Sequence, residues 1–348
     1  MKMFPAAGIN TDNLLSKETR SLCSKFEKLL LNSVTSNTWK KHSSAWNLLS
    51  KFFSDYNLEL KLPLSIENAR AFVTWAITVR KLQPSTVESY LSSIALAHEL
   101  AGETCVKFSR DRCINLILKG GKNISLLEGE DRPTRLAMNI HLLRVLGHRL
   151  AAEKWDSLSK QVVWTAGVLS FYTSCRMGEI LSANKMIFDD RTTLKWGDVK
   201  FLNDDEAIVF LPHTKNSGLH GAIVDIFPTN DYTCPMAALV QLKNLSISTK
   251  VYDSKKPVFM FSSGKFLTVK KMNEILEKIL SDFTDEFHKI SCHSFRAGMP
   301  SVIASYPDKS AVADLMEWGN WHSDSFERYT KHEREKKKTL FYKYVNLL

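Results

Sequence analysis

The chain has 348 residues, enough for two domains with cores of their own, and its 44% hydrophobic share is ordinary for a globular protein. A formal net charge of +10 favours an anionic partner, most often nucleic acid. No apolar run approaches bilayer-spanning length, and the N-terminus turns polar too soon for a signal peptide. None of Cys23, Cys105, Cys113, Cys175, Cys234 and Cys292 falls in Cys-x-x-Cys or metal-ligand spacing, so a soluble intracellular protein with free thiols, no metal and no membrane partner is expected.

Residues 1–120 read as a helical domain. Leu22, Phe26, Leu29 and Leu30 form an apolar stripe at helical spacing; Trp46, Leu49 and Phe53 form a second after the start signal Ser36-Asn37-Thr38. A third segment follows Ser65, with Ile66, Ala69, Phe72, Val73 and Ala76 on one face. Ser85-Thr86-Val87-Glu88 has the form of a capping box and predicts a fourth helix through Tyr90, Leu91, Ile94 and His98, stopping near Gly102. A short fifth helix is predicted over 108–118. Gly120-Gly121 opens a polar stretch that ends at Pro133, so a linker is expected over 121–135.

Residues 136–348 mix helix and strand patterns. Helices are predicted over 138–153 and 157–172, then a short one beside Arg176. Strands are predicted near 192–200, 206–213 and 222–227, joined by turns at Asn203-Asp204-Asp205 and Asn216-Ser217-Gly218. That places Lys215 at a hairpin tip. Val269, Met272, Leu276, Ile279 and Phe283 share a helical face; Ser291 can cap a helix carrying His293 and Arg296, and Asp308 another that ends near Gly319. Pro300 should kink the helix of Arg296 unless a helix begins late. A last stripe, Leu340, Phe341, Tyr344, Val345 and Leu348, follows a lysine-rich run. The fold class expected is mainly α with a small antiparallel sheet: a helical domain, then a mixed α+β domain with a C-terminal tail helix.

Five residues occur in one order with matching contexts: Arg176 in Thr-Ser-Cys-Arg-Met-Gly-Glu, Lys215 in His-Thr-Lys-Asn-Ser-Gly, His293 and Arg296 in His-Ser-Phe-Arg, and Tyr329 in Phe-Glu-Arg-Tyr. Residues three apart share a helix face, so His293 and Arg296 can converge on one small anion. Two guanidiniums offer paired donors to phosphate oxygens and stabilise the charge that builds on a pentacoordinate phosphorane. Tyr329 is the candidate nucleophile, His293 the base or proton relay, and Lys215 the acid for the departing sugar oxygen. Glu179 can orient Arg176. This set suffices to break and rejoin a DNA strand without metal or ATP. Each signal is common alone; their joint order carries the reading.

These motifs resemble the tyrosine recombinase (phage-integrase-like) family, in which an Arg-x-Gly-Glu segment, a hairpin lysine, a His-x-x-Arg helix and a tyrosine occur in this order. The segments Thr35–Lys41 and Ser85–Leu91 are similar to the first and last main helices of that family's helical core-binding domain. The resemblance implies a helical core-binding domain and a catalytic domain closing around double-stranded DNA. It further implies a 3′-phosphotyrosyl intermediate, no cofactor, and assembly as a homo-oligomer, a tetramer on DNA, through the C-terminal tail. Nine residues before Tyr329, where the family has histidine or tryptophan, this chain has Asn320, with Trp321 and His322 beside it. The Gly-x-Trp-x-Ser-x-x-Phe-x-x-Tyr pattern is similar to recombinases of DIRS-like and Crypton-like mobile elements, which implies integration or excision, in the nucleus of a eukaryote or the nucleoid of a bacterium. Two other functions use the same parts: a type IB topoisomerase, and a non-catalytic DNA-binding protein on a recombinase scaffold.

Overall fold

The computed structural model describes residues 25–26, 28–34, 36–103, 107–128, 136–204, 206–215, 217–229, 231–283 and 289–303. The chain divides into two units, Met1–Arg132 and Pro133–Leu348.

In the first unit four helices, α1 (Ser36–Asp55), α2 (Ile66–Thr78), α3 (Pro84–Leu100) and α4 (Arg112–Leu127), enclose an aromatic-rich core. Trp46, Leu49 and Phe53 of the predicted stripe are buried there, as are Ala69, Phe72, Val73 and Ala76. Ser65 caps α2 by accepting from the Asn68 amide at 3.2 Å. The capping box expected at Ser85 is not formed. Helix α3 begins at Pro84, with Gln83 as an N-cap that makes no side-chain bond, because proline at the first position already has helical φ and no amide to satisfy. The helix ends where predicted, at Gly102, whose φ of +75° reverses the chain. His98, fully buried, joins two segments: its Nε2 accepts from the Leu64 amide at 2.8 Å, so Nδ1 carries the proton and donates to the Ile94 carbonyl at 2.7 Å.

Gly120 and Gly121, read from the sequence as the start of a linker, lie inside α4, which runs on to Leu127. The glycine is there for packing: a Cβ on Gly121 would stand 3.0 Å from the Ile77 side chain and 3.3 Å from Pro84. Asp111 starts α4. Its carboxylate accepts from the Ile114 amide at 2.8 Å and from the Arg70 guanidinium at 2.7 and 3.2 Å, and these bonds, the one from Arg70 first, hold its carboxyl below the usual range. A lowered carboxyl pKa contributes stability that is present above the unfolded value and is lost as pH falls through the folded one. We expect Asp111→Asn to lower the urea midpoint at neutral pH and to flatten its decline below about pH 4; an unchanged acid limb would sink this assignment.

The second unit contains α5 (Ile140–Ala152), α6 (Ser157–Thr173), α7 (Met177–Ile180), strands β1 (Val199–Asn203), β2 (Glu206–Leu211) and β3 (Ala222–Ile226), then α8 (Pro235–Ser248), α9 (Val269–Leu280), α10 (Cys292–Arg296) and α11 (Gly298–Ile303). Helix α6 is apolar on nearly every side and buried along most of its length, with α5, α8, α10 and α11 packed against it. The strands form an antiparallel sheet in the order β1-β2-β3, and Ala207, Val209, Leu211 and Ile226 face the core. The mainly helical fold with one small antiparallel sheet is the class expected from the sequence.

Two expectations change in detail. The first strand does not span 192–200: Trp196–Asp198 is a 3₁₀ turn, and Asp198 accepts from the Lys195 amide at 2.9 Å, so regular pairing starts only at Val199. Pro300 does not kink the helix of Arg296, because that helix ends at Arg296 and a new one starts at Gly298. A Cβ at Gly298 would come within 2.3 Å of the Phe171 ring, which is why the junction takes glycine. The Asp308 cap, the helix end near Gly319 and the C-terminal tail stripe lie outside the described residues. Among the described residues no helix is long and apolar enough to cross a membrane.

Candidate active site

Helix α6 ends at Ser174, a non-glycine residue with φ +54°. This left-handed turn reverses the chain and delivers Arg176 as the N-cap of the one-turn helix α7. Glu179 closes that turn. Its Oε2 accepts from the Arg176 amide at 2.8 Å and its Oε1 from the Arg176 guanidinium, also at 2.8 Å. The same Oε1 accepts from the backbone amide of Lys215 at 3.2 Å. One carboxylate, whose side chain is only 8% exposed, therefore aims Arg176 and ties the β2–β3 hairpin to α7. The Arg176 side chain remains 28% exposed and open to a ligand.

Lys215 occupies the connection between β2 and β3, as expected. Thr214 and Gly218 pair across the loop, and Gly218 takes φ +56°, the left-handed conformation that the turn requires. The Ser217 amide donates to Thr214 Oγ1 at 3.0 Å, so the loop is internally braced while the Lys215 side chain is exposed.

Ser291 caps α10 as the sequence predicts: its Oγ accepts from the His293 amide at 3.3 Å, and its own amide donates to Ser294 Oγ at 3.0 Å. The Asn273 side chain of α9 adds a bond from the Cys292 amide at 2.8 Å. His293, half-buried, and Arg296 lie one turn apart on this helix. Arg296 is only 3% exposed, and its guanidinium donates to the Ser174 carbonyl at 2.6 Å. That bond joins α10 to the turn two residues before Arg176. The structure thus links Arg176, Glu179, the Lys215 loop and Arg296, and sets His293 on the same short helix as Arg296. Tyr329, Asn320, Trp321 and His322 lie outside the described residues.

Ser174 and Asn273 were not singled out from the sequence. Ser174 acts through its carbonyl, which every residue has, so no residue-type signal marks it. Asn273 acts across a 19-residue separation. The Ser174 hydroxyl itself is buried without a hydrogen-bond partner.

Two cysteines adjoin the site residues. Burial pushes the Cys175 thiol up to about 11 and the Cys292 thiol up to about 12. Both are protonated at neutral pH and therefore poor nucleophiles. Cys113, on α4, is exposed. We expect iodoacetamide to label Cys113 in the folded protein and to reach Cys175, Cys234 and Cys292 only on unfolding, as read by peptide mass mapping. Rapid native labelling of Cys175 would contradict the closed packing of the α6–α7 turn.

No protein-family model matches the chain, and no curated protein matches it in sequence. Solved structures do match. The chain is similar to the XerH site-specific recombinase bound to palindromic difH substrate in a post-cleavage complex, with a TM-score of 0.59, 13% identity, and coverage of 87% of this chain and 78% of that one. It is similar to the Tn1549 transposon integrase in complex with transposon right end DNA, with a TM-score of 0.56, 12% identity, and coverage of 93% and 99%. A lambda integrase dimer bound to a COC′ core site matches with a TM-score of 0.53, 10% identity, and coverage of 93% and 83%. The helical first unit, the sheet-bearing second unit and the alignment across almost the whole chain agree: the protein has the tyrosine recombinase fold.

Proposed function

We propose that this protein is a site-specific DNA recombinase that cleaves and rejoins strands through a 3′-phosphotyrosyl intermediate, in the integration or excision of a mobile element. The observation that carries the reading is the Glu179 carboxylate, which joins the Arg176 guanidinium and the Lys215 loop beside the turn whose carbonyl holds Arg296. A buried acid that aims one cation and anchors the loop of another, next to a buried guanidinium, is an arrangement built for a multiply charged oxyanion.

In this reading Arg176 and Arg296 donate to the non-bridging oxygens of the scissile phosphate. Their fixed donors favour the more highly charged phosphorane over the ground state. The Tyr329 oxygen attacks phosphorus while His293 takes or relays its proton, and the phosphorus–O5′ bond breaks. Lys215 protonates the departing 5′ oxygen, leaving a 5′-hydroxyl and a 3′-phosphotyrosine. Attack by the 5′-hydroxyl of a partner strand reverses these steps and releases the tyrosine. One phosphodiester is exchanged for another, so no nucleotide or metal is consumed. Asn320, Trp321 or His322 would supply a further donor near the phosphate. Double-stranded DNA is the partner, contacts to its phosphates make binding salt-sensitive, and the C-terminal tail is the proposed element of tetramer assembly on DNA.

Covalent trapping tests the reading. The full chain and a Tyr329→Phe variant are incubated in EDTA with a nicked suicide duplex from the element's ends. An SDS-resistant adduct in the wild type, absent in the variant, is the expected result. DNA binding without an adduct, on a duplex containing the mapped binding site, would support the non-catalytic scaffold instead. Adduct formation with relaxation of supercoils but no exchange between two sites would support the topoisomerase.

A further inference from the structure

We propose that the outer face of the three-stranded sheet is a self-association surface that takes a second copy of this chain. The inner face of the sheet is core. The outer face should be polar in a sheet with one solvated side, yet it carries Ile208, Phe210 and Ile223, with Phe210 40% and Ile223 65% exposed. Leu202 on β1 and Phe227 just beyond β3, 52% and 48% exposed, extend the apolar patch along both edges. Clustered exposed apolar side chains of this size mark interaction sites more often than bare surface. Phe210 is held on this face: its ring lies over Gly221, where any Cβ would come within 2.7 Å of it.

The charges on the face identify the occupant. The strand register puts Lys200, Ile208 and Asp225 in one row across β1, β2 and β3, all on the outer side, with both charged residues exposed. The cation is on one edge strand, the anion on the other, and the apolar residue is between them. A half-turn about an axis parallel to β2, placed above the face, exchanges the two edges. Lys200 then meets Asp225 of the second copy, Asp225 meets Lys200 of the second copy, Ile208 meets its own equivalent, and the Leu202 edge meets the Phe227 edge. A face complementary to itself under a two-fold rotation is what an isologous interface requires, and two such sheets pack through their apolar side chains at about 10 Å. The patch suits neither DNA, which its apolar centre and carboxylate disfavour, nor a partner of one dominant charge. The rotation preserves strand direction, so both Lys215 loops emerge at the same end of the pair. The inference does not depend on the chemistry proposed above.

The test is sedimentation velocity of the full chain without DNA over a micromolar concentration series. The expected result is a reversible monomer–dimer equilibrium. Lys200→Asp and Asp225→Lys, each of which opposes like charges across the two-fold, should weaken it at least about tenfold; the double variant, which exchanges the pair, should restore it. Both positions are exposed, and thermal unfolding of each variant verifies that it is folded. A monomer at every concentration, with the face covered by this chain's own C-terminal segment or left bare, overturns the proposal. So does a dimer indifferent to both single variants, or one that the double variant fails to restore.

Discussion

Replacing Glu179 by glutamine is expected to slow single-turnover DNA cleavage about 100-fold and to destabilise the second unit by about 2 kcal/mol. The carboxylate accepts three hydrogen bonds, from the Arg176 amide, the Arg176 guanidinium and the Lys215 amide. An amide has one oxygen and brings two N–H donors of its own. Whichever way it is turned, at least one existing donor then faces another donor. If the oxygen keeps the Oε1 position, the NH₂ opposes the Arg176 amide and the N-terminal turn of α7 opens. If it takes the Oε2 position, the NH₂ opposes both the guanidinium and the hairpin, so Arg176 and the Lys215 loop lose their common anchor. Glu179 acts through these neighbours, so it is a positioning residue. Its loss should fall on the cleavage rate, with affinity for an intact duplex changed far less. Denaturant unfolding and rapid-quench cleavage of a suicide duplex measure the two effects. A variant with wild-type cleavage and lowered stability would make the carboxylate a structural brace only.

Replacing Arg296 by methionine is expected to separate stability from activity. The side chain is 3% exposed, a cation taken almost wholly out of water. Methionine removes the desolvation cost of the buried charge, but it also leaves the buried Ser174 carbonyl without the donor that Arg296 supplies. We therefore expect a loss of about 1–3 kcal/mol of stability, with the unit still folded. Cleavage should fall about 100- to 1,000-fold, the scale on which enzymes lose rate when one preorganised donor to a developing oxyanion is removed. Arg296→Lys should rescue little, since an ammonium cannot offer the planar fork that reaches the Ser174 carbonyl and a phosphate together. If Arg296→Met cleaves within a few-fold of wild type, Arg296 is not a phosphate ligand. If it unfolds the unit, the guanidinium serves packing.

These two residues also mark where sequence reading reaches and where it stops. His293 and Arg296 were legible as a pair because a helix repeats every 3.6 residues and the cap at Ser291 is a side-chain signal. Lys215 was legible as a loop residue from the turn chemistry around Gly218. The fold class followed from periodicity: the buried faces of α1 and α2 are those that spacing picks out, and in α9 Met272, Leu276 and Ile279 are buried, while Phe283 lies past the helix end and is 39% exposed. The errors were local competitions that pattern could not decide. Pro84 outcompeted Ser85 for the start of α3. Gly121 looked like a linker residue because a flexible turn and a close helix crossing both require the absence of a Cβ, while a Cβ on its neighbour Gly120 would meet open space.

By itself, then, the sequence determined where most of the helices and strands lie, which helix faces are apolar, and which charged residues stand in an order suited to phosphate chemistry. All of these are encoded in side-chain type at short range. The tertiary structure decided that Glu179 reaches the Lys215 amide across 36 positions, and that Arg296 is buried against the Ser174 carbonyl 122 positions away. It also decided that the outer face of the sheet is apolar and unpaired among the described residues. Backbone amides and carbonyls are the same at every residue, so the partners that orient these cations leave no mark in the sequence; only the fold selects which of them come within hydrogen-bonding reach.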